Sequence, residues 1–350
     1  MNTPRDSKGM VPSVFTRYRS VINQALKQIL ESESSDIYKL LRYSMGWEDV
    51  DGCLTDSSSE GKAIRPTLCL MVSDGLSGTI DRALPAAVSI ELIHNFSLIH
   101  DDIQDRDVTR RHRPTVWALW GIPKAIIAGN MMRSVSDFSL WSMIANGVAC
   151  DVAVNVSSSL TDAYLEMING QYLDIAYEGR LDVSIDEYLN MISKKTGALM
   201  SCSVGLGAML GSPELDDRNS FIECGRALGM VFQIRDDMLG IWGDEGTTGK
   251  SVGMDIKRKK NTLPIVFSLS NSSVDDRDVL REIYSDTKCG DKEVSVVLEI
   301  MERAKAKEFT WDLANKYGSM AIDALNKVDV SQSVLDDVEE VVNFLLVREH

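Results

Sequence analysis

A dense group of acidic residues, DDIQD (101–105), ends a long apolar run and places three carboxylates within five residues. In a helix, residues four apart lie on one face, so Asp101 and Asp105 project together and Asp102 flanks them. Crowded carboxylates repel one another and favour a bound cation. Hard oxygen ligands suit Mg²⁺, which proteins hold through one or two carboxylates together with substrate phosphates. The spacing therefore predicts a magnesium site for a phosphorylated ligand.

Basic residues follow this group closely. Arg110 and Arg111 lie within six residues of Asp105, and guanidinium groups bind phosphate oxygens in bidentate geometry. Their presence favours a metal diphosphate over the alternative interpretation, a solvated acidic helix end. His94 lies seven residues before Asp101, two helical turns away on nearly the same face. A buried core histidine and a ligand-binding histidine are equally compatible with that position.

A second acidic pair, Asp236-Asp237, ends another apolar run at 227–234, and Asp244 follows two turns later. Two acidic clusters facing across a helix bundle would form a multi-metal site for a polyphosphate. Further basic residues could neutralise such a ligand, although each alone is more typical of a solvated surface. They are Lys62, Arg65, Lys194, Lys195, Lys250 and the run 257–260.

The Gly-rich segment 243–251 is similar to a phosphate-binding P-loop, but its spacing excludes one. Five residues, not four, separate Gly243 from Gly249, and no predicted strand precedes the segment. We interpret it as a loop that carries Lys250 toward a phosphate.

The elements that must position these residues are helical almost throughout. Apolar residues recur at three- and four-residue steps, whereas strand-like alternation is scarce. We predict an all-α fold with a tail at 1–12 and one domain at 13–350, built from ten or more helices. The amphipathic stretches are 13–32, 36–46, 64–77, 84–107, 115–147, 150–177, 185–210, 218–242, 262–286, 293–326 and 332–348.

Composition excludes several classes of protein. Lys and Arg number 37 against 52 Asp and Glu, a net charge of −15, which argues against a general binder of nucleic acid or anionic membranes. No apolar run reaches the length of a membrane span and no signal peptide is visible. The six cysteines form no CxxC and only four histidines are present, so a zinc site is not expected. Such cysteines are typical of reduced thiols in a cytoplasmic protein.

Seven segments, in order, resemble the all-trans isoprenyl diphosphate synthases of the polyprenyl synthetase family. The resemblance implies an isoprenoid synthase-type helix bundle around a central cavity, in a homodimer. It also implies Mg²⁺-dependent 1′-4 condensation of isopentenyl diphosphate with dimethylallyl, geranyl or farnesyl diphosphate. The segments are GKAIRP (61–66), ELIHNFSLIHDDIQD (91–105), RRHRPTVW (110–117), GQYLD (170–174), KKTGAL (194–199), FQIRDD (232–237) and GKSVGMDIKRKKNTLP (249–264).

The resemblance also implies a role for individual residues. Mg²⁺ would be held by Asp101, Asp102, Asp105, Asp236 and Asp237. The allylic diphosphate would be bound by Arg110, Lys195, Thr196, Gln233, Lys250 and Lys260. Isopentenyl diphosphate would be bound by Lys62, Arg65, His94 and Arg111. The residues implied to be catalytic, because they would promote ionisation of the allylic diphosphate, are Asp101, Asp105, Arg110, Lys195, Asp236 and Lys250.

Product length depends on the residues below the first acidic group. Phe96 and Ser97 lie five and four residues before Asp101, where a growing chain would point. Within the family, this combination of one aromatic and one small residue resembles that of a C20 (geranylgeranyl) synthase, and a C15 (farnesyl) synthase is the second choice. The alternative is that Phe96 only packs in the core.

Three positions depart from the family pattern, and two of them, Gly240 and Asn130, keep a terpene cyclase open; a non-catalytic subunit is the second alternative. Gly240 stands where many relatives have a third aspartate, Asn130 where an aspartate is common, and Ala63 where a basic residue is common. A class I terpene cyclase on the same fold would not need Lys62, Arg65, His94 and Arg111, so their retention favours two substrates. A non-catalytic subunit of a heteromeric synthase would have no reason to keep the carboxylates at 101–105.

Overall fold

The computed structural model describes residues 11–55, 61–212, 214, 217–243, 252–286 and 289–347. These ranges are almost entirely α-helical, which confirms the all-α prediction. Within them, no helix has both the length and the apolar composition that crossing a membrane requires. The helices are α1 (Ser13–Leu30), α2 (Asp36–Ser44), α3 (Ile64–Ser77), α4 (Leu84–Gln104), α5 (Val116–Trp120), α6 (Ile122–Ala145), α7 (Cys150–Tyr177), α8 (Ile185–Ile192), α9 (Ala198–Gly211), α10 (Arg218–Trp242), α11 (Met254–Lys257), α12 (Leu263–Asn271), α13 (Val274–Ser285), α14 (Asp291–Arg303), α15 (Ala306–Leu325) and α16 (Gln332–Val347).

Most predicted amphipathic stretches correspond to a single helix, but four of them are interrupted. Gly121, with a φ of 82°, separates α5 from α6. Short breaks separate α12 from α13 and α14 from α15, and a π-helical turn at Ser193–Gly197 separates α8 from α9. Pro123 and Pro264 lie in the first turns of α6 and α12, where proline costs the helix no hydrogen bond.

A small antiparallel hairpin, β1 (Thr109–Arg110) and β2 (Arg113–Pro114), follows α4 and was not predicted. These are the only regular strands in the part of the chain that the structure describes. Arg111 and His112 form the two-residue turn, with φ values of 50° and 60°. Positive φ at both positions is the mark of a type I′ turn, whose twist matches that of a hairpin.

The chain divides into two compact units, which we describe separately. The first unit comprises Ser13–Thr161 and Cys202–Arg218, and the second is formed mainly by 162–201 and 219–347. Each unit is discontinuous in sequence, and the interpretation of 13–350 as one domain stays a prediction. The predicted tail at 1–12 lies almost wholly outside the described residues.

The core of the first unit is built around α4, which is buried along most of its length and packs against α3 and α6. Hydroxyl groups join the helices, since Ser89 Oγ donates to the Ser136 carbonyl at 2.9 Å and Ser139 Oγ to the Pro85 carbonyl at 2.9 Å. A Cβ at Gly129 of α6 would lie 2.2 Å from His100 Nε2 of α4. Glycine at 129 therefore sets how closely these two helices approach.

The second unit contains two apolar clusters. One joins α10, α11, α12, α13 and α14 around residues such as Ile241, Ile265 and Val297. The other joins α8, α10, α12 and α15 around residues such as Met191 and Ile234, and it includes the buried ring of Tyr188. These clusters fix the helices that carry the second acidic pair.

Candidate active site

The first acidic group lies in the last turn of α4, in the first unit. Asp105 is the C-cap residue, and its N–H donates to the Asp101 carbonyl at 2.8 Å, so the two residues keep helical spacing. Both side chains are partly exposed. The structure therefore confirms the helical placement from which the sequence argument began, with both residues partly exposed.

Asp102 has a different environment from its neighbours. Its residue is 5% exposed because it continues the buried stripe of Leu92, Asn95 and Ile99 along α4. Arg110 Nε donates to Asp102 Oδ1 at 2.7 Å. Burial raises the pKa of Asp102 to about 6, although the positive charge of Arg110 opposes this rise. In this structure Asp102 holds the arginine that the sequence assigns to the allylic diphosphate.

The hairpin turn brings Arg111 to the GKAIRP segment. A Cβ at Gly61 would lie 3.0 Å from Arg111 Nη2, so the guanidinium packs directly on this backbone. Ala63, the N-cap residue of α3, has a φ of 49°. Left-handed backbone at a residue other than glycine is strained, and such strain is concentrated at binding and catalytic sites.

His94 and Arg65 belong to the same group of side chains. Burial lowers the pKa of His94 well below its ordinary value, and the nearby charges of Arg65, Arg111 and Arg110 lower it further. A neutral imidazole can still donate one hydrogen bond to a phosphate oxygen. The buried Nε of Arg65 has no hydrogen-bond partner among the described residues. Lys62 lies partly exposed before α3.

Glu91 is a buried acidic residue that the sequence analysis did not single out. Burial raises the pKa of its carboxyl, while Arg65 and Arg111 oppose the rise. Asn95 Nδ2 donates to Glu91 Oε1 at 3.2 Å. The sequence feature that could have identified Glu91 is its position in the ELIHNFSLIHDDIQD segment, three residues before His94.

The second acidic pair lies on α10, in the second unit. Asp236 is exposed, whereas Asp237 is 4% exposed. Asp237 Oδ2 accepts from the Tyr188 hydroxyl at 2.5 Å and from the Leu263 N–H at 3.0 Å, and Oδ1 accepts from Gln233 Nε2 at 3.2 Å. Burial raises the pKa of Asp237 to about 7, and these three hydrogen bonds oppose the rise.

The KKTG segment forms the π-helical turn at Ser193–Gly197, a conformation frequent at functional sites. Thr196 Oγ1 donates to Gln233 Oε1 at 2.8 Å, which connects the turn to α10. Lys195 is paired with the Asp174 carboxylate of the GQYLD segment. A Cβ at Gly170 would lie 2.2 Å from the Lys195 backbone N, so α7 approaches the turn closely. The sequence analysis assigns no role to Asp174.

The cationic residues of the run 257–260 make different contacts. Lys257 is paired with Asp291 at 2.7 Å. Lys259 donates to the Ile283 carbonyl at 2.9 Å and to the Asp286 carbonyl, near the C-terminal end of α13. Lys260 is exposed. Lys250 and Asp244 lie outside the described residues, so their predicted roles have no structural description here.

Gly240, which departs from the family pattern, lies against the side chain of Asp255. A Cβ at this position would lie 1.9 Å from Asp255 Oδ2. The Asp255 carboxylate therefore occupies the space that an aspartate at 240 would need. Asp255 lies in the first turn of α11, inside the last of the seven segments, and the sequence analysis did not single it out.

Phe96 is 8% exposed and its ring makes an edge-on contact with His100, with ring centroids 5.2 Å apart. Ser97 is partly exposed and its Oγ donates to the His94 carbonyl at 2.8 Å. The chain-length role of this pair stays a prediction.

The donor set fits Mg²⁺ better than a protein-only metal cage. Within the described ranges, no group of three or more His, Cys, Asp or Glu side chains lies close enough to hold a metal ion. Asp101 and Asp105 are nevertheless both partly exposed and lie one helical turn apart at the end of α4. That arrangement suits an ion that takes one or two carboxylates and completes its shell with phosphate oxygens and water.

Comparison with known proteins identifies the family of this chain. The family model for polyprenyl synthetases matches residues 51–301. A farnesyl diphosphate synthase of Mycobacterium tuberculosis H37Rv is 33% identical over 335 residues, covering 94% of this chain and 91% of that protein. A geranylgeranyl diphosphate synthase of the same strain is 36% identical over 271 residues, 76% of each.

A crystal structure of a polyprenyl synthetase from Streptomyces coelicolor A3(2) has the same helical bundle. Its TM-score is 0.87 at 33% identity, covering 95% of this chain and 98% of that one. The seven segments and the clustered side chains thus belong to a chain whose relatives are prenyl diphosphate synthases. The chain belongs to the polyprenyl synthetase family and is a prenyltransferase of the short-chain trans-prenyl diphosphate synthase group.

Proposed function

We propose that this enzyme condenses isopentenyl diphosphate with an allylic diphosphate, in the presence of Mg²⁺, to give geranylgeranyl diphosphate (C20), with farnesyl diphosphate (C15) as the alternative product. The observation that carries the proposal is the group of side chains in the first unit. Two partly exposed carboxylates at the end of α4 accompany a separate set of cations, in which Arg65 and Arg111 lie close enough to the buried His94 to help lower the pKa of its imidazole. A one-substrate enzyme would not need that second set.

In the proposed reaction, Arg65, Lys62 and Arg111 bind the diphosphate of isopentenyl diphosphate, and His94 donates a hydrogen bond to it. The unpartnered Nε of Arg65 supports this role, since a buried donor without an acceptor is costly. Arg111 has the fixed turn geometry and Gly61 contact that hold a guanidinium in one orientation.

Asp101, Asp105 and Asp236 are the proposed direct ligands of Mg²⁺. Bound Mg²⁺ would neutralise the negative charge that develops on the departing diphosphate. Arg110, Lys195, Thr196, Gln233, Lys250 and Lys260 bind the allylic diphosphate in this proposal. The contributions proposed for Asp102 and Asp237 are indirect, because each carboxylate is buried and already accepts hydrogen bonds from protein groups.

The bond changes need no protein nucleophile. The C1–O bond of the allylic diphosphate breaks, and diphosphate leaves with the electron pair. The alkene of isopentenyl diphosphate attacks C1, and the new carbocation loses a proton to diphosphate or a polar neighbour. The protein contributes orientation and preorganised charge in a site that excludes water.

The proposed product length rests on Phe96, which is buried one turn before His100 and two turns before the cap residue Asp105. Phe96→Ala is expected to lengthen the products, and Ser97→Phe is expected to shorten them to C15 or C10. A product distribution that neither substitution changes would assign chain length to other helices.

The testing experiment supplies Mg²⁺, isopentenyl diphosphate and farnesyl diphosphate to the purified protein and identifies products by mass spectrometry. Geranylgeranyl diphosphate is the expected product. A parallel reaction contains geranylgeranyl diphosphate alone, and a cyclic hydrocarbon from it, without elongation, would replace the proposal with a terpene cyclase. No turnover in either reaction would favour a non-catalytic subunit.

We further propose a homodimer formed through α6. Its outward face exposes large apolar side chains, with Phe138 68% and Trp141 59% exposed, followed by Ile144. A face of this composition is typical of a permanent interface between copies. Trp141→Glu is expected to give monomers in sedimentation analysis, whereas Leu54→Glu, at another exposed apolar residue, should leave the dimer intact. A monomeric wild-type protein would contradict the proposal.

A further inference from the structure

The hydrogen-bond network around Asp237 joins four elements of the second unit. Asp237 accepts from Tyr188 of α8, from Gln233 on its own helix α10, and from the N–H of Leu263, which begins α12. Gln233 in turn accepts from Thr196 of the π-helical turn. Three of these residues carry roles from the family resemblance, but Tyr188 and Leu263 do not.

Each member of the network lies beside a residue that is proposed to touch substrate or metal. Thr196 follows Lys195, Asp237 follows Asp236, and Leu263 lies three residues after Lys260. A displacement of the buried carboxylate would therefore move three proposed ligand-binding positions together. Displacements of about 1 Å can cost a reaction on the order of 100-fold in rate.

Tyr188 is the member whose side chain has no other visible task. Its residue is 2% exposed and its ring packs in the second apolar cluster. Its hydroxyl donates to Asp237 Oδ2 at 2.5 Å, the shortest of the three hydrogen bonds to that carboxylate. Without this donor, Oδ2 would retain only the Leu263 N–H, and nothing would hold the carboxylate against α8.

We infer that Tyr188 is a positioning residue for prenyl transfer, which acts through Asp237 to hold Asp236, the KKTG turn and the segment before α12 in their working arrangement. This inference rests on the proposed function. Tyr188 itself touches neither substrate nor metal in this account, and its effect is confined to residues assigned to the allylic diphosphate and Mg²⁺.

The structure offers a matched control in Tyr284. This tyrosine is also buried in the second unit, in the first apolar cluster, but its hydroxyl has no hydrogen-bond partner within the described ranges. Tyr284→Phe and Tyr188→Phe therefore remove the same atom from similar packing. Only Tyr188→Phe removes a hydrogen bond from the network.

The experiment compares both variants with wild type by hydrogen exchange and by steady-state kinetics. In Tyr188→Phe, the peptides that cover 193–197 and 260–264 are expected to exchange faster. Its kcat should fall about tenfold or more and its KM for the allylic substrate should rise. The KM for isopentenyl diphosphate should be unchanged. Tyr284→Phe should match wild type in every measurement.

A double variant separates positioning from loss of stability. If Tyr188 acts through Asp237, Tyr188→Phe added to Asp237→Asn lowers kcat no further than Asp237→Asn alone. Additive losses would overturn the inference, as would unchanged exchange in Tyr188→Phe or equal changes in both KM values. A wild-type protein that forms no prenyl diphosphate would overturn the proposed function instead, and hydrogen exchange would still decide whether Tyr188 holds these segments.

Discussion

The two acidic groups have the same arrangement but different partners. In each, one carboxylate of an Asp-Asp pair faces the core, Asp102 at 5% and Asp237 at 4% exposed, while its neighbours reach solvent. Asp102 is held by the charged Arg110, whereas Asp237 is held by three neutral donors. A competing cation at Asp102 or a competing anion at Arg110 would break the charged pair, whereas Asp237 has no charged partner to exchange.

The backbone around the two groups differs as well. Near the first, Ala63, Arg106, Arg111 and His112 all have positive φ, whereas near the second Lys259 does. Left-handed residues other than glycine store about 1 to 2 kcal/mol each. The first group thus combines charge pairing with several left-handed residues, while the second combines neutral hydrogen bonds with one left-handed residue and a π-helical turn.

The largest expected effect tests whether the exposed carboxylates of both groups act alike. Asp101→Asn and Asp236→Asn should each lower kcat by about 100-fold or more, because each removes charge that stabilises the departing diphosphate. Steady-state assays with farnesyl and isopentenyl diphosphates measure this loss. Asp81→Asn, at an exposed acidic residue of the first unit, should retain wild-type kcat. Full activity in either active-site variant would remove that group from the metal site.

The next effect tests the two buried carboxylates. Asp237→Asn should lower the free energy of unfolding by about 1 to 3 kcal/mol, because the new NH₂ group faces only donors. Asp102→Asn should cost less than about 1 kcal/mol, since its amide oxygen can still accept from Arg110 and burial already disfavours the charged form of Asp102. Urea unfolding of both variants measures the difference. The reverse order would contradict the contrast drawn between the two groups.

A smaller effect concerns pH and the arginines near the first group. The pKa of His94 is lowered in the folded enzyme, so the unfolded chain binds more protons at mildly acidic pH. The free energy of unfolding should therefore fall as pH decreases below about 6.5, the ordinary histidine pKa. His94→Gln should reduce this slope, as measured by urea unfolding at several pH values. An identical slope in the two proteins would show that folding does not lower the pKa of His94.

The smallest effect tests backbone strain in the hairpin. His112→Gly should raise the free energy of unfolding by about 0.5 to 1 kcal/mol, because glycine accepts positive φ and its entropy cost offsets only part of the gain. His112→Ala keeps the Cβ and should give no such gain. Thermal unfolding of both variants, with kcat as a check on the site, makes the comparison. Equal stability of the two variants would mean that the turn is not strained.

The sequence predicted the helices well because apolar periodicity reports directly on a buried face. The sequence also indicates which residue of the second acidic pair is buried. Asp237 lies three residues after the buried Ile234 and so continues the buried face of the helix. The resemblance predicts metal binding for both residues, and a family motif does not show that one of them is exposed and the other buried.

Other features could not be read from periodicity. The hairpin at 109–114 has strands of two residues, too short to show alternation. The π-helical turn differs from an α-helix by one residue per turn and lies inside the stretch 185–210, which the sequence analysis treats as one helix. Tyr188 and Asp255 are far in sequence from Asp237 and Gly240, so only the folded chain shows these contacts.

Gly240 and Asp255 have a consequence for how this enzyme can change over generations. A Cβ at 240 would lie 1.9 Å from the Asp255 carboxylate. Any single substitution of Gly240 therefore requires that carboxylate to move. Substitutions at the two positions are therefore coupled. A lineage that loses the side chain at 255 first can regain an acidic residue at 240, whereas the opposite order passes through a crowded intermediate. The order of mutations, and not only their identity, restricts which descendants of this sequence are accessible.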